Sequence, residues 1–232
     1  MKESKNYIIA TLKSWNIEEA NKLIKENSDL KIILISDKKG LYYNRIKKYN
    51  PRYILFPHWS WKIPEDISEN YECIIFHMTD LPFGRGGSPL QNLISRGIYN
   101  TKISAVKVVN EIDAGPVYIK ENLKLNGDAE YIYKKASKII FRKMIPYIIR
   151  NEPLPEQQKG EIVVFKRRKP EEGNIQKLKN LNEVYDYIRM LDAEGYPNAF
   201  IESPYLKIEF SNAKLKKNCV IAKVKIEVKE QD

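Results

Sequence analysis

The chain has 232 residues, of which 43% are hydrophobic and 30% charged, and a net charge of +10. That length carries a full core in one large domain, or a domain with a small appendage, and the composition is ordinary for a soluble globular protein. No apolar run approaches the roughly 20 residues of a membrane-spanning helix.

Residues 6–11 (Asn-Tyr-Ile-Ile-Ala-Thr) predict a first buried strand. The apolar stretch there ends at Lys13. It is too short and polar for a signal peptide, so a cytoplasmic location is expected. A helix is predicted over 17–26, a strand over 30–36, a short helix over 42–49, and strands over 53–56 and 73–77. Strands alternating with helices imply a mostly parallel, Rossmann-like α/β sheet with helices on both faces. Sites in such sheets lie beyond the carboxyl ends of the strands, which is where His77 sits. Ser88 and Pro89 begin a helix as cap and first residue, with Leu90, Leu93 and Ile94 inward and Gly97 as its stop. Residues 101–110 and 117–125 predict two more strands, joined through Asp113-Ala114-Gly115-Pro116. A single amphipathic helix is expected over 128–150, with Ile132, Ala136, Ile139, Ile140 and Ile148 inward.

The polar, proline-bearing stretch 151–160 marks a domain boundary. The expectation is a catalytic domain over 1–155 and a small C-terminal α+β subdomain over 156–232. In the latter a strand at 161–165, a helix near 181–191 and strands at 199–201, 206–210 and 220–228 are predicted. Cys73 and Cys219 are far apart and form no metal-spaced motif, so two reduced thiols and no metal are expected. The charge of +10 has two readings. One is a polyanionic partner; the other is a Lys-, Ile-, Asn- and Tyr-rich composition with basic residues spread along the chain, apart from Lys166-Arg167-Arg168-Lys169.

The chemistry centres on two segments. Residues 73–89 read Cys-Ile-Ile-Phe-His-Met-Thr-Asp-Leu-Pro-Phe-Gly-Arg-Gly-Gly-Ser-Pro, and residues 110–116 read Asn-Glu-Ile-Asp-Ala-Gly-Pro. His77 is one of only two histidines. The first segment resembles the active-site stretch of the folate-dependent formyltransferases, which carry Asn-x-His-x-Ser-Leu-Leu-Pro followed by Arg-Gly and a proline-led helix. Asp113-Ala114-Gly115 resembles the family's second signature. The likeness is good over about residues 50–150. Within the superfamily the stretch from Phe76 to Gln91 most resembles the sugar N-formyltransferases, including those of the pseudaminic acid type.

The resemblance implies N10-formyltetrahydrofolate as co-substrate, no metal, and an amine acceptor. His77 and Asp113 are then the catalytic pair. A histidine donor would steady the oxyanion formed when an amine attacks the formyl carbon, one such donor being worth roughly a hundred- to a thousandfold in rate. A carboxylate would orient the imidazole and take the amine's proton. The folate would lie against Trp59, Trp61, Ile63, Leu81, Pro82 and Asp113. Thr79, Phe83, Gly84, Arg85, Gly86 and Gly87 fall to the substrate, with Arg85 holding either a phosphate or the loop itself. Ile75 stands where the family has asparagine and cannot donate a hydrogen bond. Thr79, Asn110 and the loop amides are the candidate replacements.

The reading placed first is formyl transfer to a nucleotide-linked amino sugar, of the 4-amino-4,6-dideoxy type, with no nucleic acid or membrane partner and a homodimer as the candidate assembly. Methionyl-tRNA formyltransferase is the alternative. Its substrate would suit the charge, but only about 70 residues follow Gly160. A glycinamide ribonucleotide formyltransferase fits the Arg-Gly-Gly-Ser-Pro loop less well, and a formyl-folate hydrolase would need no acceptor site. A folate- or nucleotide-sugar-binding module, its chemistry lost with the asparagine, is the non-enzymatic reading.

Overall fold

The structure, a computed structural model, describes residues 5–229. Its elements begin with β1 (Asn6–Ala10), α1 (Ser14–Glu26), β2 (Lys31–Ile35), α2 (Tyr43–Tyr49), β3 (Tyr53–Pro57), α3 (Glu65–Asn70) and β4 (Cys73–His77). The chain then forms β5 (Phe83–Gly86), α4 (Pro89–Ile94), β6 (Asn100–Lys107) and β7 (Val117–Lys124). Next come α5 (Ala129–Ile139), a π-helical segment (Ile140–Met144), α6 (Ile145–Asn151), β8 (Val163–Phe165), α7 (Leu181–Arg189), β9 (Ala199–Glu202), β10 (Leu206–Leu215) and β11 (Val220–Val228).

The chain divides into two compact units, each drawn from three separate stretches. The first takes the residues up to Arg85, Lys102–Leu123 and Lys134–Val164; the second takes Gly86–Thr101, Lys124–Tyr133 and the chain from Phe165 onward.

The six-stranded sheet of the first unit runs in the order β2-β1-β3-β4-β6-β7. β1 is parallel to β2 and β3, and β3 to β4, whereas β6 is antiparallel to β4. The architecture is therefore α/β with a mostly parallel sheet. Every residue of β3 is buried, as expected of a strand covered on both faces. Ile8, Ile54 and Phe56 pack in one cluster with Ile46 of α2 and Ile67 of α3. Ile9 and Leu55 are equally buried and, by strand alternation, face the other way. Each parallel crossover returns the chain to the same sheet edge. The segments after β1, β3 and β4 therefore leave together at its carboxyl side.

In the second unit β9, β10 and β11 form an antiparallel sheet on which α7 packs. Asn180 caps α7 by accepting from the Glu183 backbone N–H at 2.9 Å. The predicted serine cap of α4 is not formed. Ser88 adopts a left-handed φ of 49° and makes no side-chain cap bond. Its Oγ accepts instead from the Arg168 N–H at 3.1 Å. A backbone donor from the irregular stretch after β8 has taken the oxygen that a local cap would use.

Candidate active site

His77 is the last residue of β4, opposite Ser104 of β6. It is 8% exposed. Its Nε2 lies 2.7 Å from the Gly84 carbonyl oxygen. A carbonyl can only accept, so Nε2 carries the proton in this contact. Nδ1 lies 3.5 Å from Oδ2 of Asp113, at the outer limit of a hydrogen bond, a pair that carries opposite charges only when the imidazole is protonated. The 36 residues that separate the two in sequence are closed by β6 and the turn after it.

Asp113 is 9% exposed and has a φ of 55°, a left-handed backbone that Asp tolerates better than most side chains. Gly115 explains the tightness of this turn. A Cβ there would stand 1.9 Å from the Lys107 carbonyl oxygen, so only glycine permits the approach. The Pro116 carbonyl accepts from the Lys107 N–H at 2.9 Å, fixing the turn to the end of β6.

Thr79, fully buried, donates its hydroxyl to Gly84 O at 3.2 Å. Two side-chain donors, from His77 and Thr79, thus converge on one carbonyl oxygen. Ser104 supports them from behind, donating to Thr79 O at 2.7 Å. Asn110 is exposed and Ile75 packs partly buried against the β3 side of the core. Of the side chains that could stand in for the family asparagine, Thr79 is the one placed beside His77.

Arg85 is 8% exposed. Its Nε and Nη2 donate to Oε1 of Gln158 at 3.1 and 2.9 Å, and its Nη1 to Glu111 at 2.9 Å. Of the two duties the sequence leaves open for this arginine, these contacts are the loop-holding kind. Gly86 and Gly87 meet backbone: a Cβ would lie 2.5 Å from Phe165 O at the first and 2.6 Å from the Arg167 Cα at the second. Their lack of side chain lets β5 lie against β8.

The folate candidates fall in two places. Trp59, Trp61 and Ile63 lie on the loop after β3. Trp59 stacks edge-on against Phe56 and Trp61, Trp61 is 43% exposed and Lys38 Nζ stands 5.6 Å from its ring. The Trp59 indole N–H is buried with no acceptor among the described residues. An edge-to-face aromatic cluster carrying an orphaned donor fits a heteroaromatic ligand with ring acceptors. The loop is pinned from below: Thr11 donates to Pro57 O at 2.7 Å, and Asn16 donates to Thr11 Oγ1 at 3.1 Å. Burial, and then Lys13, lower the His58 imidazole to about 4. Leu81 and Pro82, joined by a cis peptide bond, follow His77 in the chain, and Phe83, half-buried, opens β5. Lys120 donates to Leu81 O and to Asp80. Burial raises the Asp80 carboxyl, but Lys120 and Lys102 overcome it and leave the group below its usual value.

Sequence reasoning missed Gln158, Ser104, Thr11 and Asn16. Ser104 and Asn16 are legible only as polar residues among apolar neighbours; Gln158, in a polar linker, gives no signal. No group of three or more His, Cys, Asp or Glu suited to a metal occurs among the described residues. No helix among them is long and apolar enough to cross a membrane.

Comparison with known proteins adds four findings. The family profile described as methionyl-tRNA formyltransferase, C-terminal domain, matches residues 170–227. A methionyl-tRNA formyltransferase of Bacillus cytotoxicus is 28% identical over 158 residues, 65% of this chain and 50% of that one. The chain thus spans half the length of that curated relative. A solved structure named methionyl-tRNA formyltransferase from Clostridium thermocellum superposes with a TM-score of 0.95 at 54% identity, covering 97% of this chain and 100% of that one. HypX from Aquifex aeolicus, solved in complex with tetrahydrofolic acid, shares the fold with a TM-score of 0.73 at 15% identity, over 91% of this chain and 38% of that one. On the whole-length likeness at 54% identity, and with the fold in common, this chain belongs to the formyltransferase family.

Proposed function

We propose that this protein transfers a formyl group from N10-formyltetrahydrofolate to a primary amine, and that the amine is the α-amino group of an aminoacyl-tRNA. The chemistry rests on one observation: His77 and Thr79 aim two donors at a single carbonyl oxygen while Asp113 stands against the other face of the imidazole. Gly84 O supplies that oxygen here. A formyl oxygen in the same place would receive the same two donors as negative charge gathers on it. Thr79 then does the work of the family asparagine that Ile75 replaces. Asp113 holds the ring, accepts the amine's proton directly or through a water, and would return a proton to N10 as the bond between the formyl carbon and N10 breaks.

When bound, the folate supplies a one-carbon unit at the formyl level. Trp59, Trp61 and Ile63 would hold its ring system and Leu81 and Pro82 would flank it. The HypX complex, solved with tetrahydrofolic acid, supports a folate on this fold. Arg85 holds the loop.

For the acceptor, the relatives named for methionyl-tRNA favour tRNA over the nucleotide-linked amino sugar that the motif alone put first. A charge of +10 suits a polyanion. The sugar reading is kept as second because Phe76 to Gln91 resembles the sugar N-formyltransferases. The test is mass spectrometry of products after incubation with formyltetrahydrofolate and either methionyl-tRNA or a panel of nucleotide-linked amino sugars. A formyl group gained on the tRNA-borne methionine is the expected result. A gain confined to a sugar passes the assignment to the second reading, and no gain on any amine overturns formyl transfer.

A further inference from the structure

We infer that Gln158 is a positioning residue, an amide clamp that sets the spacing between His77 and Asp113; this rests on the reading of those two as the catalytic pair. A primary amide offers two acceptor and two donor positions, and Gln158 uses all four. Oε1 accepts from Nε and Nη2 of Arg85 at 3.1 and 2.9 Å. Nε2 donates to the carbonyls of Asp113 and Gly115 at 2.7 and 2.8 Å. The orientation of the amide is unambiguous. Reversed, it would set N–H against the guanidinium donors and oxygen against two carbonyls, losing every bond.

What the amide joins matters more than the count. Arg85 lies in β5, on the segment that follows His77 and places Gly84 O against its ring. Asp113 and Gly115 belong to the turn between β6 and β7. Arg85 also reaches this turn through Glu111, but that carboxylate is 75% exposed, and screened ion pairs hold little. Gln158 is itself anchored. Glu156 exchanges two backbone hydrogen bonds with Val117, at 2.7 and 2.9 Å, at the start of β7. The left-handed backbone of Asp113 and the close approach of Gly115 to Lys107 are conformations that persist only when neighbours over-determine them. The clamp supplies that determination on the carbonyl side of the turn.

The experiment replaces Gln158 by glutamate and, separately, by leucine in the full chain. Gln158→Glu keeps an acceptor for Arg85 but turns oxygen toward the two turn carbonyls, so the chain folds and the turn is released. Gln158→Leu removes both halves. In Gln158→Glu the kcat for formyl transfer is expected to fall roughly tenfold to a hundredfold, with KM for both substrates within about twofold. The thermal midpoint should stay near the parent's. Arg85→Leu combined with Gln158→Leu should lose no more than the worse single variant, because both break one link. The chain has only two histidines, so imidazole NMR gives a readout free of activity. The His77 signals should move in Gln158→Glu and those of His58 should not. A folded Gln158→Glu protein whose kcat stays within about twofold of the parent, or whose His77 signals are unmoved, overturns the clamp. If the parent transfers no formyl group to any amine, the formyl reading fails and the NMR arm alone decides the clamp.

Discussion

His77 reaches Gly84 O through Nε2 and faces Asp113 through Nδ1, so the two nitrogens have different duties. Asparagine can replace the first duty and not the second. His77→Asn should therefore retain the fold and the donor and lose only the Asp113 contact, whereas His77→Ala, which loses both, should fall about a hundred- to a thousandfold in kcat/KM, read in the formylation assay. Thr79→Val deletes the second donor at nearly constant volume. It should lower kcat more than it raises KM, because the hydroxyl acts on charge that grows during the reaction; an unchanged kcat would return the oxyanion to His77 and backbone amides. His58 bears on stability instead. Its folded value of about 4 lies below the ordinary 6.5, through burial and then Lys13. The unfolded chain therefore binds the proton first as pH falls, and stability drops between about 6.5 and 4. Carboxylates held down by partners, such as Glu19 beside Arg142, act only toward the acid end of that window. Thermal melts from pH 7 to 4 should fall more steeply for the parent than for His58→Asn, a residue that also accepts the φ of 53° found there.

At the scale of elements, the turn between β6 and β7 decides where Asp113 stands. Gly115→Ala would drive a methyl into the Lys107 carbonyl. The turn must open, and the expected cost is about 2–4 kcal/mol by urea unfolding, with formylation falling as Asp113 moves. Full stability in that variant would mean the turn adjusts freely. Two elements depart from the pattern read in the sequence for physical reasons. The helix expected over 128–150 is broken by a π-helical segment at Ile140–Met144. Pro146 has no N–H to give back and crowds the carbonyl four residues earlier, and the wider turn absorbs the mismatch. The stretch expected as a glycine-rich loop contains β5, because Gly86 and Gly87 allow contact with Phe165 and Arg167. Its partner strand lies some 80 residues later, beyond the reach of any local pattern.

On the scale of the whole molecule, the surplus of positive charge separates the two acceptors. If tRNA is the substrate, its affinity should fall steeply with salt, by about tenfold or more between 50 and 200 mM, in a filter-binding or anisotropy titration. A nucleotide-linked sugar, with two phosphate charges, would show a shallow dependence, and flat tRNA binding would count against the proposed acceptor. The sequence places a single boundary at 151–160, whereas the compact units each collect three stretches of chain. Compactness depends on which segments meet, and a composition change marks only where the chain is polar. The sequence by itself determined the α/β class, the strand ending at His77, the tight turn at Asp113 and the family resemblance. Each of these is written in apolar periodicity, glycine and proline placement, or contiguous motif. Only the tertiary structure decided that Thr79 joins His77 on one oxygen, that Arg85 is engaged by Gln158 and Glu111, and that a linker glutamine ties the loop to the turn. Those are hydrogen bonds between residues brought together by folding, and a donor's partner is set by distance and direction in space, which residue order does not encode.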